Sequence, residues 1–139
     1  MKILIIHTMA IDYNGVTDCI VHYLKHMNRE GIEFTILSTV TVHPDFDKLF
    51  QELGCRMERI EIRKEHPLRY MFRLAKLVRR EKFDIVHAHG NSATMFFDMA
   101  GAKLGACRIR IAHGHSTSCG NQKLDRLLRP FFYHSYTQA

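Results

Sequence analysis

Short apolar runs that alternate with helix-length amphipathic segments are the feature that most restricts the fold of this chain. The apolar runs, which read as strands, cover residues 3–6, 33–38, 57–62, 83–86 and 108–112. The segments with helical spacing cover residues 16–27, 44–53, 67–80, 93–104 and 124–132, the last one interrupted by Pro130. Such alternation builds βαβ units, so we predict an α/β protein with three αβα layers and a mostly parallel sheet.

The size of the chain favours one domain. It has 139 residues, of which 46% are hydrophobic, and no low-complexity linker divides it, so we treat 1–139 as a single domain. Ile3 to Ile6 is apolar without interruption, as expected of a strand that is covered on both faces. Charged and apolar residues alternate from Met57 to Ile62, which favours an edge strand.

Charge and cysteine usage limit the cellular setting. The formal charge is +6 and the pI is about 9.3, which favours anionic partners such as phosphates or acidic lipid and does not by itself imply nucleic acid. The four cysteines are scattered and no secretory signal is present, so we expect reduced thiols in a cytoplasmic protein. No stretch approaches the roughly 20 apolar residues of a membrane span.

The helix that begins at Pro67 combines an apolar face with a basic stripe. We place Leu68, Met71, Phe72, Ala75, Leu77 and Val78 on the apolar face. The stripe consists of Arg69, Arg73, Lys76 and Arg80. A solvated helix face is the default interpretation, and contact with an anionic membrane surface is the alternative, which a lipid-linked substrate would strengthen.

Polar residues are concentrated where the predicted strands end. The exits are His7-Thr8, Ser38-Thr39, 87–92 and 113–117, and the last two are rich in histidine. Ligands of an open parallel sheet bind at the carboxyl ends of its strands, where loops and helix N-termini converge. Helix capping and ordinary loop histidines explain any single exit, but two histidine-rich exits on one rim favour a functional site.

Two details of these exits have more than one interpretation. His-x-His at 87/89 and 113/115 places alternate residues on one side of an extended segment, where they are able to bind a metal, but no third ligand type occurs at a recognisable spacing and we expect no metal. Asn14-Gly15 follows the first strand without a Gly-x-Gly-x-x-Gly fingerprint, which disfavours NAD. Helix capping by Asn14 and approach of Gly15 to a phosphate remain equally open.

Two segments carry a resemblance to a known family. FDIVHAHGNSA at 83–93 and RIAHGHST at 110–117, with their spacing and the LLRP at 127–130, resemble the N-terminal domain of family 4 retaining glycosyltransferases with the GT-B fold, which build bacterial capsular, exopolysaccharide and lipopolysaccharide glycans. The resemblance covers essentially the whole chain. It implies a Rossmann-like domain, the N-terminal half of a GT-B fold, facing a second domain across a cleft.

The resemblance also implies roles for individual residues. His113 would contact the transferred sugar and stabilise an oxocarbenium-like state, without acting as a nucleophile, and Asn14 and Gly15 would approach the donor diphosphate. The implied acceptor-binding residues are His89, Gly90, Asn91, Ser92, His115, Ser116 and Thr117. The co-substrate would be a nucleotide-diphosphate sugar, the acceptor a glycan or lipid-linked glycan, and no cofactor or metal would be required. The protein would be cytoplasmic, with a peripheral contact at the inner membrane face.

The sequence departs from the family in two ways. The usual Gly-Gly-x-Glu after the first strand is Asn14-Gly15-Val16-Thr17. The chain ends at Ala139, near the start of the family's sixth strand, so we expect the donor-binding domain to be absent and the chain to be inactive alone. A non-enzymatic glycan-binding or regulatory module is the alternative function, and a hydrolase using a metal on the paired histidines is a third.

Overall fold

A computed structural model shows a five-stranded parallel sheet with the strand order β3-β2-β1-β4-β5. It describes residues 1–116, 123 and 126–131, with only the backbone at 91–93 and 116. The strands are β1 Lys2–His7, β2 Glu33–Ser38, β3 Arg56–Arg59, β4 Ile85–Asn91 and β5 Ile109–Ser116. The helices are α1 Gly15–His26, α2 Pro44–Glu52, α3 Pro67–Glu81 and α4 Phe96–Leu104, the last preceded by a 3₁₀ turn at Ser92–Met95.

The central strand β1 explains the three layers. Leu4 and Ile6 face a core that includes buried residues of α3 and α4, whereas Ile3 and Ile5 face a second core that includes those of α1 and α2. Each fully buried Leu or Ile contributes about 1.5–3 kcal/mol, so an uninterrupted apolar run belongs at the centre of the sheet. This confirms the predicted three-layer, Rossmann-like α/β fold. Every pairing among the described strands is parallel.

Local signals set most helix boundaries. Asn14 Oδ1 accepts hydrogen bonds from the backbone N–H groups of Val16 and Thr17, each at 3.1 Å, and so caps α1. Pro44 and Pro67 occupy the first positions of α2 and α3, where a missing N–H costs nothing. Gly54, after α2, has a φ of +71°, which glycine adopts at little cost.

Two glycines allow α4 to pack closely on α3. A Cβ atom at Gly105 would lie 2.6 Å from Cβ of Val78, and one at Gly101 would lie 2.9 Å from Cδ2 of Leu74. Any side chain at these positions would push the helices apart. Residues Leu74, Val78, Met99 and Ala102 are therefore buried together beneath the sheet.

The structure corrects several predicted boundaries. Strands β4 and β5 run through the histidine segments instead of ending before them, because the two strands pair with each other as far as Asn91 and Ser116. The predicted third strand is shorter but does form a sheet edge. Residues 126–131 are helical across Pro130, so the interruption predicted at that proline is wrong.

The predicted apolar face of α3 is partly wrong. Leu68 and Phe72 are 61% and 62% exposed, whereas Tyr70 and Leu74 are fully buried in their place. The buried face is rotated because Tyr70 can enter the core only with a partner for its hydroxyl, which the helix α4 supplies. None of the described helices is long and apolar enough to cross a membrane.

Candidate active site

Five histidines lie on one face of the sheet, at the carboxyl-end part of three neighbouring strands. The register pairs His7 of β1 with His89 of β4, and His89 with His113 of β5. His87 and His115 lie two residues before His89 and two after His113, so the alternation of strand side chains places them on the same face. We call His7, His87, His89, His113 and His115 the histidine row.

The four histidines of β4 and β5 contact each other closely. The rings of His113 and His115 stack at 4.4 Å, those of His87 and His89 lie 4.1 Å apart, and those of His89 and His113 lie 4.9 Å apart. Nδ1 of His89 and Nε2 of His115 are hydrogen-bonded at 3.0 Å. The predicted convergence of the two histidine-rich segments is thereby confirmed, although they meet as paired strands and not as loops.

Burial keeps most of this row neutral. Burial lowers the pKa of His7 and of His87 to about 4 each and that of His89 to about 2, with further lowering by neighbouring imidazoles. The pKa of His115 is also lowered, mainly by burial and then by His113. At neutral pH, His7, His87, His89 and His115 are therefore uncharged nitrogen donors and acceptors.

The remaining strand exits are used within the protein. His7 contacts the carbonyl of Met9 through Nδ1 at 2.9 Å and Oγ1 of Thr17 through Nε2 at 3.1 Å. The Thr8 and Thr39 hydroxyls donate to backbone carbonyls of His89 and His7. These hydroxyl groups hold neighbouring strands together. The N-caps of the helices that follow are Asn14 and His43, so the helix-capping interpretation is wrong for Thr8 and Thr39.

The segment Asn14-Gly15 lies next to the histidine row. Thr17, in the first turn of α1, contacts His7, so this helix begins beside the row. Both polar ends of the Asn14 side chain are occupied, because its amide also donates to the carbonyl of Ala10 at 3.0 Å. Gly15 is exposed at the first position of α1, and a Cβ atom there would meet nothing within 4 Å. Helix capping therefore accounts for the side chain of Asn14, whereas the exposed backbone at Gly15 is accessible to a ligand.

Of the predicted acceptor-binding residues, His89 and Gly90 are buried and His115 is half-buried. Gly90 has a packing reason to be glycine, because a Cβ atom there would lie 2.2 Å from Oγ1 of Thr8. The backbone at 91 and 116 ends the two strands, the backbone at 92 begins the 3₁₀ turn, and Thr117 lies outside the described residues.

The predicted basic stripe is remote from the row. Arg69, Arg73, Lys76 and Arg80 are exposed on α3, which packs on the opposite face of the sheet. Arg80 is engaged by Glu81 at 2.8 Å and by Glu58 at 4.0 Å. A concavity of about 560 Å³ also lies away from the row, near Phe83, Asp84 and Arg108 at the amino ends of β4 and β5.

Sequence reasoning missed one buried polar cluster. Asp98 is fully buried in α4 and accepts from Nε and Nη2 of Arg63, at 3.1 and 2.6 Å, and from the Tyr70 hydroxyl at 2.6 Å. We call these three residues the Arg63–Asp98–Tyr70 network. The available signal was a single carboxylate within the apolar run 95–102, since an acid in such a run requires a buried partner.

Comparison with known proteins decides the family. A model described as the glycosyl transferase 4-like domain matches residues 14–139. The chain belongs to this family. Comparison of this glycosyl transferase 4-like domain with curated proteins gives no match.

Solved structures show the same fold. UDP-GlcNAc 2-epimerase from Neisseria meningitidis, bound to UDP-GlcNAc, has a TM-score of 0.61 at 16% identity, over 98% of this chain and 39% of that one. The lipopolysaccharide outer core galactosyltransferase WaaB, in its apo form, has a TM-score of 0.59 at 11% identity, over 83% and 33%. UDP-GlcNAc 2-epimerase from Methanocaldococcus jannaschii has a TM-score of 0.58 at 22% identity, over 98% and 38%. The domain therefore spans about a third to two fifths of these chains, and its fold is of the GT-B type.

Proposed function

We propose that this domain is the acceptor side of a retaining glycosyltransferase that moves a sugar from a nucleotide-diphosphate sugar to a glycan or lipid-linked acceptor. One observation carries the proposal: in a member of the glycosyl transferase 4-like family, five histidines line the carboxyl-end part of the sheet. Parallel α/β sheets bind their ligands at this edge.

The half-buried imidazole of His113 is our candidate for the catalytic contact to the transferred sugar. Its ring stacks on that of His115 at 4.4 Å and lies 4.9 Å from that of His89. Imidazole nitrogens form hydrogen bonds with sugar hydroxyls. We assign no nucleophile to the row and attribute acceleration to stabilisation of the leaving diphosphate and of an oxocarbenium-like state.

Donor and acceptor would approach from two sides of the row. Gly15 is exposed at the N-terminus of α1, whose positive dipole end suits a phosphate. Buried His89 and Gly90 would shape the acceptor site from beneath, while His115 and the segments 91–92 and 116–117 would contact it. The reaction we propose requires no resident cofactor.

A second domain would complete the cleft. The solved structures of similar fold are two and a half to three times longer than the part that this chain matches. We therefore propose that nucleotide-sugar binding needs a further domain and that these 139 residues alone do not catalyse transfer. The epimerases among these structures share at most 22% identity, which supports the fold and not their reaction.

The test is a transfer assay on the full-length protein. UDP-, GDP- and ADP-sugars are offered with a membrane glycolipid fraction, and nucleotide release and the anomeric configuration of the product are measured. We expect one donor to be consumed with retention and His113→Ala to lower kcat at least about 100-fold, as for other lost transition-state contacts. Binding of none of these donors, or product formation unaffected by His113→Ala, would refute the proposal.

We also propose a peripheral contact between α3 and anionic lipid at the cytoplasmic membrane face. Exposed Leu68 and Phe72 lie on the same helix as exposed Arg69, Arg73 and Lys76, which is the composition of an interfacial helix. Arg80 contributes less because its guanidinium is engaged by Glu58 and Glu81.

Vesicle binding tests this contact. We expect sedimentation with phosphatidylglycerol vesicles and not with phosphatidylcholine ones. Each basic residue contributes about 1 kcal/mol, so Arg69→Gln/Arg73→Gln should weaken binding about 30-fold. The double variant Lys25→Gln/Lys48→Gln, which removes as much charge from α1 and α2, should bind as the unaltered protein does; equal losses in both variants would contradict a surface on α3.

A further inference from the structure

The histidine row contains a three-ligand cluster that the proposed transfer reaction does not require. A ring nitrogen from each of His87, His89 and His113 lies within 4.8 Å of the other two. Tetrahedral zinc with its usual Zn–N bonds of about 2.0–2.1 Å needs nitrogens about 3.4 Å apart. The nitrogens must approach each other by at most about 1.4 Å, and His113, which is only half-buried, has room to rotate toward the other two.

A second observation points to a missing partner at this place. Nε2 of His87 is buried and has no hydrogen-bond partner among the described residues. A buried polar atom left in this way costs about 1–3 kcal/mol, so native proteins rarely keep one without a reason. The atom belongs to one of the three clustered imidazoles, and a ligand placed among them is able to satisfy it.

The contact between His89 and His115 provides outer support. With Nδ1 of His89 hydrogen-bonded to Nε2 of His115 at 3.0 Å, the other ring nitrogen of His89 is the one left for a ligand. Metal-binding imidazoles usually have their second nitrogen held by such a partner, which orients the ring. His115 would thus position His89 without being a ligand itself.

We propose that His87, His89 and His113 bind one divalent transition-metal ion of the zinc class. Three imidazoles without thiolate suit Zn²⁺, Co²⁺, Ni²⁺ or Cu²⁺ and not Mg²⁺ or Ca²⁺, which prefer oxygen. Three protein ligands leave a fourth position for water or a ligand oxygen, as in zinc sites that act on substrates. The metal site goes beyond the proposed transfer reaction, and an experiment can refute one of these two proposals without refuting the other.

A competing surface site must be removed first. His22 and His26 lie one turn apart on the exposed side of α1 with ring centroids 4.4 Å apart, and such a pair binds Ni²⁺ or Cu²⁺ weakly. The double variant His22→Gln/His26→Gln serves as the background. In it, Zn²⁺ is titrated by calorimetry and Co²⁺ by visible absorption, whose intensity reports low coordination number.

In this background we expect one ion per chain and an intense cobalt spectrum. Adding His87→Gln or His113→Gln should weaken Zn²⁺ binding by more than the roughly 10–100-fold that loss of an outer-shell partner costs. Adding His66→Gln, an exposed histidine before α3, should change nothing. Absence of stoichiometric binding, or retention of full affinity in both row variants, would overturn the site.

A measurement on the unaltered protein covers the case in which a row variant does not fold. Nitrogen-15 NMR of the imidazole rings is recorded before and after one equivalent of Zn²⁺. We expect large shifts for the signals of His87, His89 and His113 and none for His43 and His66. Shifts confined to His22 and His26 would show that the surface pair is the only site and would refute the proposal.

Discussion

Two buried polar clusters on opposite faces of the same sheet differ in how far their polar groups find hydrogen-bond and charge partners. In the Arg63–Asp98–Tyr70 network, a carboxylate accepts from a guanidinium and a hydroxyl, and Nη2 of Arg63 also donates to the carbonyl of Thr94 at 2.9 Å. The histidine row consists of five similar groups, in which one buried nitrogen, Nε2 of His87, lacks a hydrogen-bond partner among the described residues and burial lowers the pKa values of His87 and His89.

The difference separates a structural role from a functional one. Complementary groups that satisfy each other hold α3, α4 and the preceding loop together. Similar groups packed side by side cost stability, and proteins keep such costs mainly at functional sites. Four predictions test this contrast, from the largest expected effect to the smallest.

Removal of the buried carboxylate should have the largest effect. In Asp98→Asn, the buried guanidinium of Arg63 loses its counter-charge, and we expect a loss of about 3–5 kcal/mol in the free energy of unfolding. Urea denaturation followed by circular dichroism measures it. Asp47→Asn, which breaks the exposed pair with Arg59 at 3.6 Å, is the control and should cost at most about 1 kcal/mol. Similar losses in the two variants would contradict a structural role for the Arg63–Asp98–Tyr70 network.

Apolar replacements should change the free energy of unfolding in opposite directions in the two clusters. Tyr70→Phe removes a 2.6 Å hydrogen bond to a charged group and should destabilise by about 1.5–3 kcal/mol. His87→Leu removes an unsatisfied buried nitrogen and should stabilise the metal-free protein by up to about 1–3 kcal/mol. Both are measured by urea denaturation in the presence of EDTA. Destabilisation by His87→Leu would show that the row is a structural cluster too.

Acid should lower the free energy of unfolding by protonating histidines of the row. The pKa of His7 is about 4 in the folded protein against 6.5 when unperturbed, so the unfolded chain binds the proton first as the pH falls. The contribution of His7 to the free energy of unfolding is therefore fully present above pH 6.5 and is lost as the pH falls from 6.5 to about 4. His7→Gln should reduce the slope in this window by about 1.4 kcal/mol per pH unit.

This slope is measured with EDTA present, as unfolding free energy against pH for both proteins. The other imidazoles with lowered pKa values, those of His87, His89 and His115, remain in the variant and contribute to the residual slope. An unchanged slope would mean that folding does not lower the pKa of His7.

The smallest effect concerns Gly15. Gly15→Ala fills open space in the first turn of α1 and should stabilise the fold by about 0.5–1 kcal/mol, because alanine is the better helix former. If a donor phosphate approaches this backbone, the same change should raise KM for the nucleotide sugar in the full-length protein. A stabilised variant with unchanged KM would exclude Gly15 from the donor site.

Local signals in the sequence determined most elements of the fold. The apolar run Ile3 to Ile6 predicts the central strand, Asn14 and Pro44 mark helix starts, and Gly54 marks a stop. These features depend on contacts within a few residues, which spacing and residue type reveal. The His-x-His spacing likewise predicted that two pairs of imidazoles share one face.

Tertiary structure decided what depends on partners distant in the chain. Strand pairing extended β4 and β5 through the histidines, and the register added His7, at the end of the first strand, to the row. The partners of Asp98 are Tyr70 and Arg63, which lie 28 and 35 residues away in the chain. The hydrogen bond to Asp98 lets Tyr70 point into the core, whereas Phe72 stays exposed. No local pattern specifies such pairings, because hydrogen bonds and burial are satisfied by whichever groups the packed sheet and helices bring together.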